Sequence, residues 1–156
     1  MKIVCVCIGK TTDEYLKKGI SIYENRIKNY LSFESITLPE IKKPAGMTIN
    51  QQTILESRAF LNVISGNDLV VLLDEHGKEY TSVEFSGFLQ KQFLLSLKRM
   101  VFIIGGPYGF SDEMYARTNE KVSLSQLTFS HQMVRLFFLE QIYRAMTILK
   151  NEPYHH

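Results

Sequence analysis

Apolar positions along the chain form two alternating patterns: short unbroken runs and longer stripes with helical spacing. Lys2–Ile8 is the first run. As a strand it would set Ile3, Cys5 and Cys7 on one face and Val4, Val6 and Ile8 on the other, the pattern of a strand covered on both sides. Gly9 ends it. Within residues 13–31, Leu16, Ile20, Tyr23, Ile27 and Tyr30 recur at three and four, a helix stripe, with Asp13 and Glu14 suited to its first turn. Residues 35–38 predict a shorter strand nearer a sheet edge, and 48–64 predict a helix with Ile54, Leu55, Ala59 and Val63 inward. Residues 69–73 form a second fully apolar strand ending on Asp74, followed by a turn at His76-Gly77-Lys78. Ser82 reads as the N-cap of a helix with the stripe Phe85, Phe88, Leu89 and Phe93, and residues 101–104 are the next buried strand. Strand and helix alternating in this way predict one α/β domain over 1–156, a mostly parallel sheet with helices on both faces.

Residues 101–135 carry the chemistry. The apolar run breaks on Gly105-Gly106-Pro107, a helix start follows at Ser111, and a strand-like run covers 121–125. Leu127-Thr128-Phe129 then leads into a long helix opening with His131 and Arg135. A buried strand ending in glycines, with the next segment returning beside it, is how an α/β protein builds a ligand crevice. Gly105-Gly106-Pro107-Tyr108-Gly109 matches neither the dinucleotide fingerprint nor the P-loop, which lowers nucleoside triphosphates and dinucleotides as ligands. The glycines serve either close backbone approach to a ligand or a tight turn alone. His131 and Arg135, one turn apart, would share a face at the helix end whose dipole favours anions. A bound anion such as an RNA phosphate explains the pair; a solvent-facing pair is the alternative. Glu140 and Arg144 have the same spacing and can satisfy each other. The apolar positions from Val134 to Leu149 exceed one stripe, which fits either two neighbours, a sheet and a second subunit, or a core helix.

Composition adds limits. The formal charge of +2, from 18 basic and 16 acidic side chains, neither requires nor excludes nucleic-acid binding through a local basic patch. Pro39 to Met47, with Lys42 and Lys43, reads as a loop that is either a solvated connection or a contact for a polyanion. Cys5 and Cys7 are expected as small buried hydrophobes without a bridge, and no metal-binding spacing is present. No apolar run reaches membrane-spanning length, so a cytoplasmic protein with no membrane partner is the default expectation. The ending NEPYHH is a frayed terminus, a tag remnant at His155-His156, or a flap offering a ring and an imidazole to a base.

Several ordered motifs then converge: IGGPYG at 104–109, SLSxLTF at 123–129, HQMVR at 131–135, EQIYRA at 140–145 and PYH at 153–155. With this spacing the chain resembles, over nearly its whole length, the ribosomal RNA large-subunit methyltransferase H family of the SPOUT class. The resemblance implies a C-terminal trefoil knot and S-adenosylmethionine as cofactor. It implies methyl transfer to N3 of a pseudouridine in 23S rRNA of the large subunit or 70S ribosome, by a homodimer whose partner completes each site. Carried over by motif, the cofactor-binding residues are Leu73, Gly105, Leu124, Ser125, Gln126, Leu127, Thr128 and Phe129. The catalytic set is His131 or His155 as proton acceptor, Arg135 toward a phosphate or uracil oxygen, and Tyr154. Lys2, Lys10, Lys17, Lys18, Lys42 and Lys43 are possible phosphate contacts. Ser130 departs from the family's proline before the histidine, although a serine there can cap the helix. The alternative to the enzyme is a non-catalytic RNA- or ribosome-binding domain of the same fold.

Overall fold

The computed structural model describes residues 1–155, so His156, the second of the terminal histidines, lies outside the described residues. The chain runs β1 (Lys2–Ile8), α1 (Glu14–Lys28), β2 (Phe33–Leu38), α2 (Ile49–Leu61), β3 (Leu69–Glu79) and α3 (Ser82–Phe93). It continues through β4 (Arg99–Ile104), α4 (Asp112–Arg117), β5 (Glu120–Ser123) and α5 (Met133–Leu149). The strands form one sheet in the order β2-β1-β4-β3-β5, with every neighbouring pair parallel.

The expected absence of polar alternation in the central strands has its cause in two cores. Ile3, Cys5, Val71 and Phe102 pack on one face with residues of α1, α3 and α5. Val4, Val6, Val70 and Ile103 pack on the other with Phe60 of α2 and Met114 of α4. Cys5 and Cys7 are free thiols, Cys5 fully buried and Cys7 half-buried, and burial raises the Cys5 pKa. No helix of the described residues is long and apolar enough to cross a membrane.

Three local expectations are corrected. The α3 cap is Thr81, one residue before Ser82; its hydroxyl accepts from Glu84 N while the Glu84 carboxylate accepts from Thr81 N, a reciprocal capping box. The residues expected as a turn at His76-Gly77-Lys78 belong to β3, which carries an irregularity: Leu73 and Lys78 both stand opposite Val122. Gly77 is required there, because a Cβ would lie 2.5 Å from the Val122 carbonyl carbon. The third correction concerns α2. Its buried residues are Gln52, Thr53, Glu56, Ser57 and Phe60, whereas Leu55 is 38% exposed. This helix faces backbone, not an apolar sheet surface alone. Ser57 Oγ accepts from Ser111 N at 2.9 Å, Gln52 Nε2 donates to Glu56 Oε1 at 2.6 Å, and the Glu56 carboxylate lies against Gly106. Apolar periodicity cannot report a face buried for its hydrogen bonds.

Candidate functional site

The carboxyl ends of β3, β4 and β5 open into a cleft of about 610 Å³. Ligands of parallel α/β sheets bind at this end, because the loops leaving adjacent strands diverge there. Three segments wall it: Leu73 to His76 after β3, Gly105 to Phe110 after β4, and Leu124 to His131 after β5. All eight residues expected to hold a cofactor line this cleft, together with His131. Leu73, Ile104, Leu124, Leu127 and Val134 give it apolar surface, and the glycine turn gives it accessible backbone.

Each wall has an identifiable support. Gly109 adopts a left-handed φ of 74°, and its N–H donates to Gly106 O at 3.4 Å, closing the turn. Gly105 is needed for packing: a Cβ would lie 2.7 Å from Phe110 Cζ, so the ring and not a ligand is the first obstacle to a larger residue. In the third wall, Ser125 Oγ accepts from Leu127 N at 2.9 Å and Ser123 Oγ donates to Ser125 O at 3.1 Å. Ser130 Oγ accepts from Met133 N at 3.1 Å, so the serine in the proline position caps the approach to α5.

The sequence reading passed over the polar cluster on the β3 side. Asp74, with its side chain 5% exposed, accepts from the Tyr115 hydroxyl at 2.6 Å and from His76 N at 2.8 Å. Burial and this bond to a carboxylate push the Tyr115 pKa up to about 12. The available signal was an aspartate ending an otherwise apolar strand at the ligand end of the sheet.

The expected catalytic residues do not all meet in this chain's cleft. His131 lies in it, in the turn before α5. Arg135 does not line it, and the shared cationic face expected for the two is absent. Arg135 is 5% exposed and turned toward β1: Nη1 donates to Gly9 O at 2.8 Å and Thr11 Oγ1 at 3.1 Å, and Nη2 donates to Ile8 O at 2.7 Å. The partner inferred as an anion is a set of protein oxygens. Gln132 extends the clamp, accepting from Thr12 N at 2.8 Å. Tyr154 and His155 also lie away from the cleft lining, on α1 and α5. The Tyr154 hydroxyl donates to Glu140 Oε1 at 3.0 Å and meets the Tyr23 hydroxyl at 3.2 Å, while its ring packs edge-on to Tyr143. Burial followed by these bonds raises its pKa. His155 Nδ1 is 3.5 Å from Arg144 Nη1, and Arg144 pairs with Glu140 as its spacing predicts. Tyr154 and His155 are therefore packed against α1 and α5 and not frayed. Among the lysines, Lys2 pairs with Glu34 and Lys17 with Glu14, each at 2.6 Å.

Comparison with known proteins shows the family of this chain. A family model described as "Predicted SPOUT methyltransferase" matches residues 1–155. Proteins named ribosomal RNA large subunit methyltransferase H match over 100% of this chain and 99% of their own length. Identity is 53% for Christiangramia forsetii, 51% for Parabacteroides distasonis and 49% for Porphyromonas gingivalis. Among solved structures, a Legionella pneumophila protein in complex with the cofactor SAM matches with TM-score 0.49 and 12% identity, over 93% of this chain and 66% of its own. Matched by the family model over residues 1–155 and by the methyltransferase H relatives end to end, this chain, with its parallel sheet and glycine-walled cleft, belongs to the SPOUT methyltransferase family.

Proposed function

We propose that this chain transfers a methyl group from S-adenosylmethionine to N3 of a pseudouridine in 23S rRNA of the large subunit or assembled ribosome. The observation that carries the reading is one cleft, walled by Leu73, Gly105 and the 124–129 loop, in a chain 53% identical over its full length to a protein named for large-subunit rRNA methylation. A volume of about 610 Å³ falls within the ~300–1,000 Å³ usual for small-molecule sites, and exposed backbone beside leucine side chains suits a nucleoside with a polar tail. The cofactor, when bound, supplies a methyl activated by its sulfonium. The protein's tasks are then to align the acceptor nitrogen and to receive the N3 proton as the new carbon–nitrogen bond forms. Of the two histidines expected as proton acceptor, His131 is the one in this chain's cleft lining.

In this reading the 124–131 wall belongs to a C-terminal trefoil knot, and the protein acts in the cytoplasm as a homodimer. The location of Tyr154 and His155 outside their own chain's cleft supports their service to the partner's cleft. Arg135 becomes a positioning residue, holding the start of α5 to the β1 end. The non-catalytic alternative rested on Ser130, and that side chain caps the helix approach. The test pairs calorimetric titration of S-adenosylmethionine with tritiated methyl incorporation into 70S ribosomes lacking the modification. Donor binding with stoichiometric labelling at one 23S pseudouridine is expected. Donor binding without any labelling of ribosomes or rRNA would overturn the substrate assignment, and no donor binding would overturn the enzyme.

A further inference from the structure

The tip of the glycine turn is Tyr108, which lines the cleft and is 45% exposed. The closed base of the turn, with Gly109 left-handed, holds this residue at the rim. Lys43, from the loop between β2 and α2, sets its Nζ 5.4 Å from the ring centroid. Among the described residues the Tyr108 hydroxyl has no hydrogen-bond partner and Lys43 has no carboxylate within ion-pair distance. Tyr115, the other tyrosine of the cleft wall, contrasts with it. Its hydroxyl is committed to Asp74, and its ring stands edge-on to Phe110 with centroids 6.0 Å apart. Tyr115 is built into the wall, whereas Tyr108 presents an exposed ring with a free hydroxyl, and the cation over that ring has no carboxylate partner.

We propose that Tyr108 and Lys43 form a nucleotide subsite at the cleft rim, where Tyr108 stacks a single-stranded base flanking the methylated nucleotide and Lys43 meets its phosphate. The inference rests on the reading of the substrate as RNA and names the part of the surface that grips it. An aromatic face accepts any base, and a neighbouring lysine neutralises the backbone charge that comes with it. Splaying the target out of its loop separates it from its neighbours, and a ring at the rim replaces one lost stacking partner. Tyr108 belongs to the glycine-turn wall, but neither it nor Lys43 is among the residues expected to hold the donor, so the pair acts on RNA binding and leaves donor binding alone. Glu75, the exposed carboxylate of the cleft lining, stands on the β3 side.

The experiment compares Tyr108→Ala, Tyr108→Trp, Lys43→Ala and the surface control Lys91→Ala on 70S ribosomes. KM, kcat, calorimetric affinity for S-adenosylmethionine, and co-sedimentation with ribosomes are measured for each. Tyr108→Ala is expected to raise KM for ribosomes about tenfold, or ~1.4 kcal/mol, with kcat and donor affinity within about twofold of the parent. Tyr108→Trp restores KM, Lys43→Ala raises it and makes it less sensitive to salt, and Lys91→Ala leaves it unchanged. An unchanged KM in Tyr108→Ala, or a Trp variant as weak as Ala, overturns the subsite while leaving the methyltransferase reading intact. If the parent binds donor but labels nothing, co-sedimentation decides: weaker retention of Tyr108→Ala alone upholds the subsite after that reading has failed, and equal retention overturns it.

Discussion

Arg135→Ala is the substitution that most sharply separates a residue touching RNA from one that organises the cleft. The guanidinium is 5% exposed and makes three hydrogen bonds of 2.7–3.1 Å to oxygens at the end of β1. Hydrogen bonds from a charged donor contribute roughly 1.5–3 kcal/mol each where they are well made, but the contributions are not additive. Alanine also strands the carbonyls of Ile8 and Gly9 without their partner, at about 1–3 kcal/mol for a buried acceptor. Solvent entering the vacated space offsets part of this, so a net loss of about 3–4 kcal/mol is expected. Urea denaturation followed by circular dichroism measures it, and the matching fall in Tm is roughly 6–16 °C for a chain of this size. Arg135→Lys keeps the charge but not the fork, so it recovers only part of the loss. A residue that merely met phosphate would behave differently: Arg135→Ala would keep full stability and donor affinity and lose only turnover. A stability loss below about 1 kcal/mol with turnover abolished would refute the clamp.

Two further outcomes follow from local geometry. Gly105→Ala places a Cβ 2.7 Å from the Phe110 ring and is expected to cost about 1–3 kcal/mol, whereas Gly87→Ala, in α3 with open space around it, stabilises by roughly 0.5–1 kcal/mol. Paired thermal melts check both, and equal shifts would refute the packing argument. Tyr115 has a folded pKa near 12 against an ordinary 10, so its contribution to stability is complete below pH 10 and is lost as pH rises through about 12. Phenolate absorbance titration of the wild type against Tyr115→Phe measures this, and a Tyr115 transition at its ordinary value would refute both burial and the Asp74 bond as causes.

The sheet was legible because each central strand is apolar on both faces, which only a strand covered by helices on both sides tolerates. The cleft was legible for a related reason: glycines after a buried strand and a polar segment after β5 mark the ligand end of such a sheet. What the sequence hid are polar groups whose partners lie far along the chain. Arg135 meets Gly9, whereas spacing and dipole within its own helix offer it only a bound anion or solvent. Glu56 and Ser57 pack against Gly106 and Ser111, so α2 buries a polar stripe that an apolar count does not show, although Val63 packs against the core as expected. The β3 irregularity is hidden for the same reason, since Gly77 is fixed by the backbone of Val122.

These hidden contacts have one consequence in common. Ser57 ties the segment after the glycine turn to α2, Asp74 ties Tyr115 to the end of β3, and Arg135 with Gln132 ties the start of α5 to the β1 end. The Ser57 and the Arg135–Gln132 contacts reach their walls from outside the cleft lining, whereas the Asp74–Tyr115 contact is part of that lining. A site that positions a methyl donor and a nitrogen acceptor needs walls that do not shift when the donor enters, because small misplacement of reacting atoms is costly in rate. Polar clamps supply that fixity better than apolar packing alone, since a hydrogen bond sets both distance and direction. Conserving the cleft's lining while loosening a clamp should therefore blur alignment before it abolishes binding. The residues that fix this geometry include Ser57, Gln132 and Arg135, none of which the cleft itself would identify as more than background.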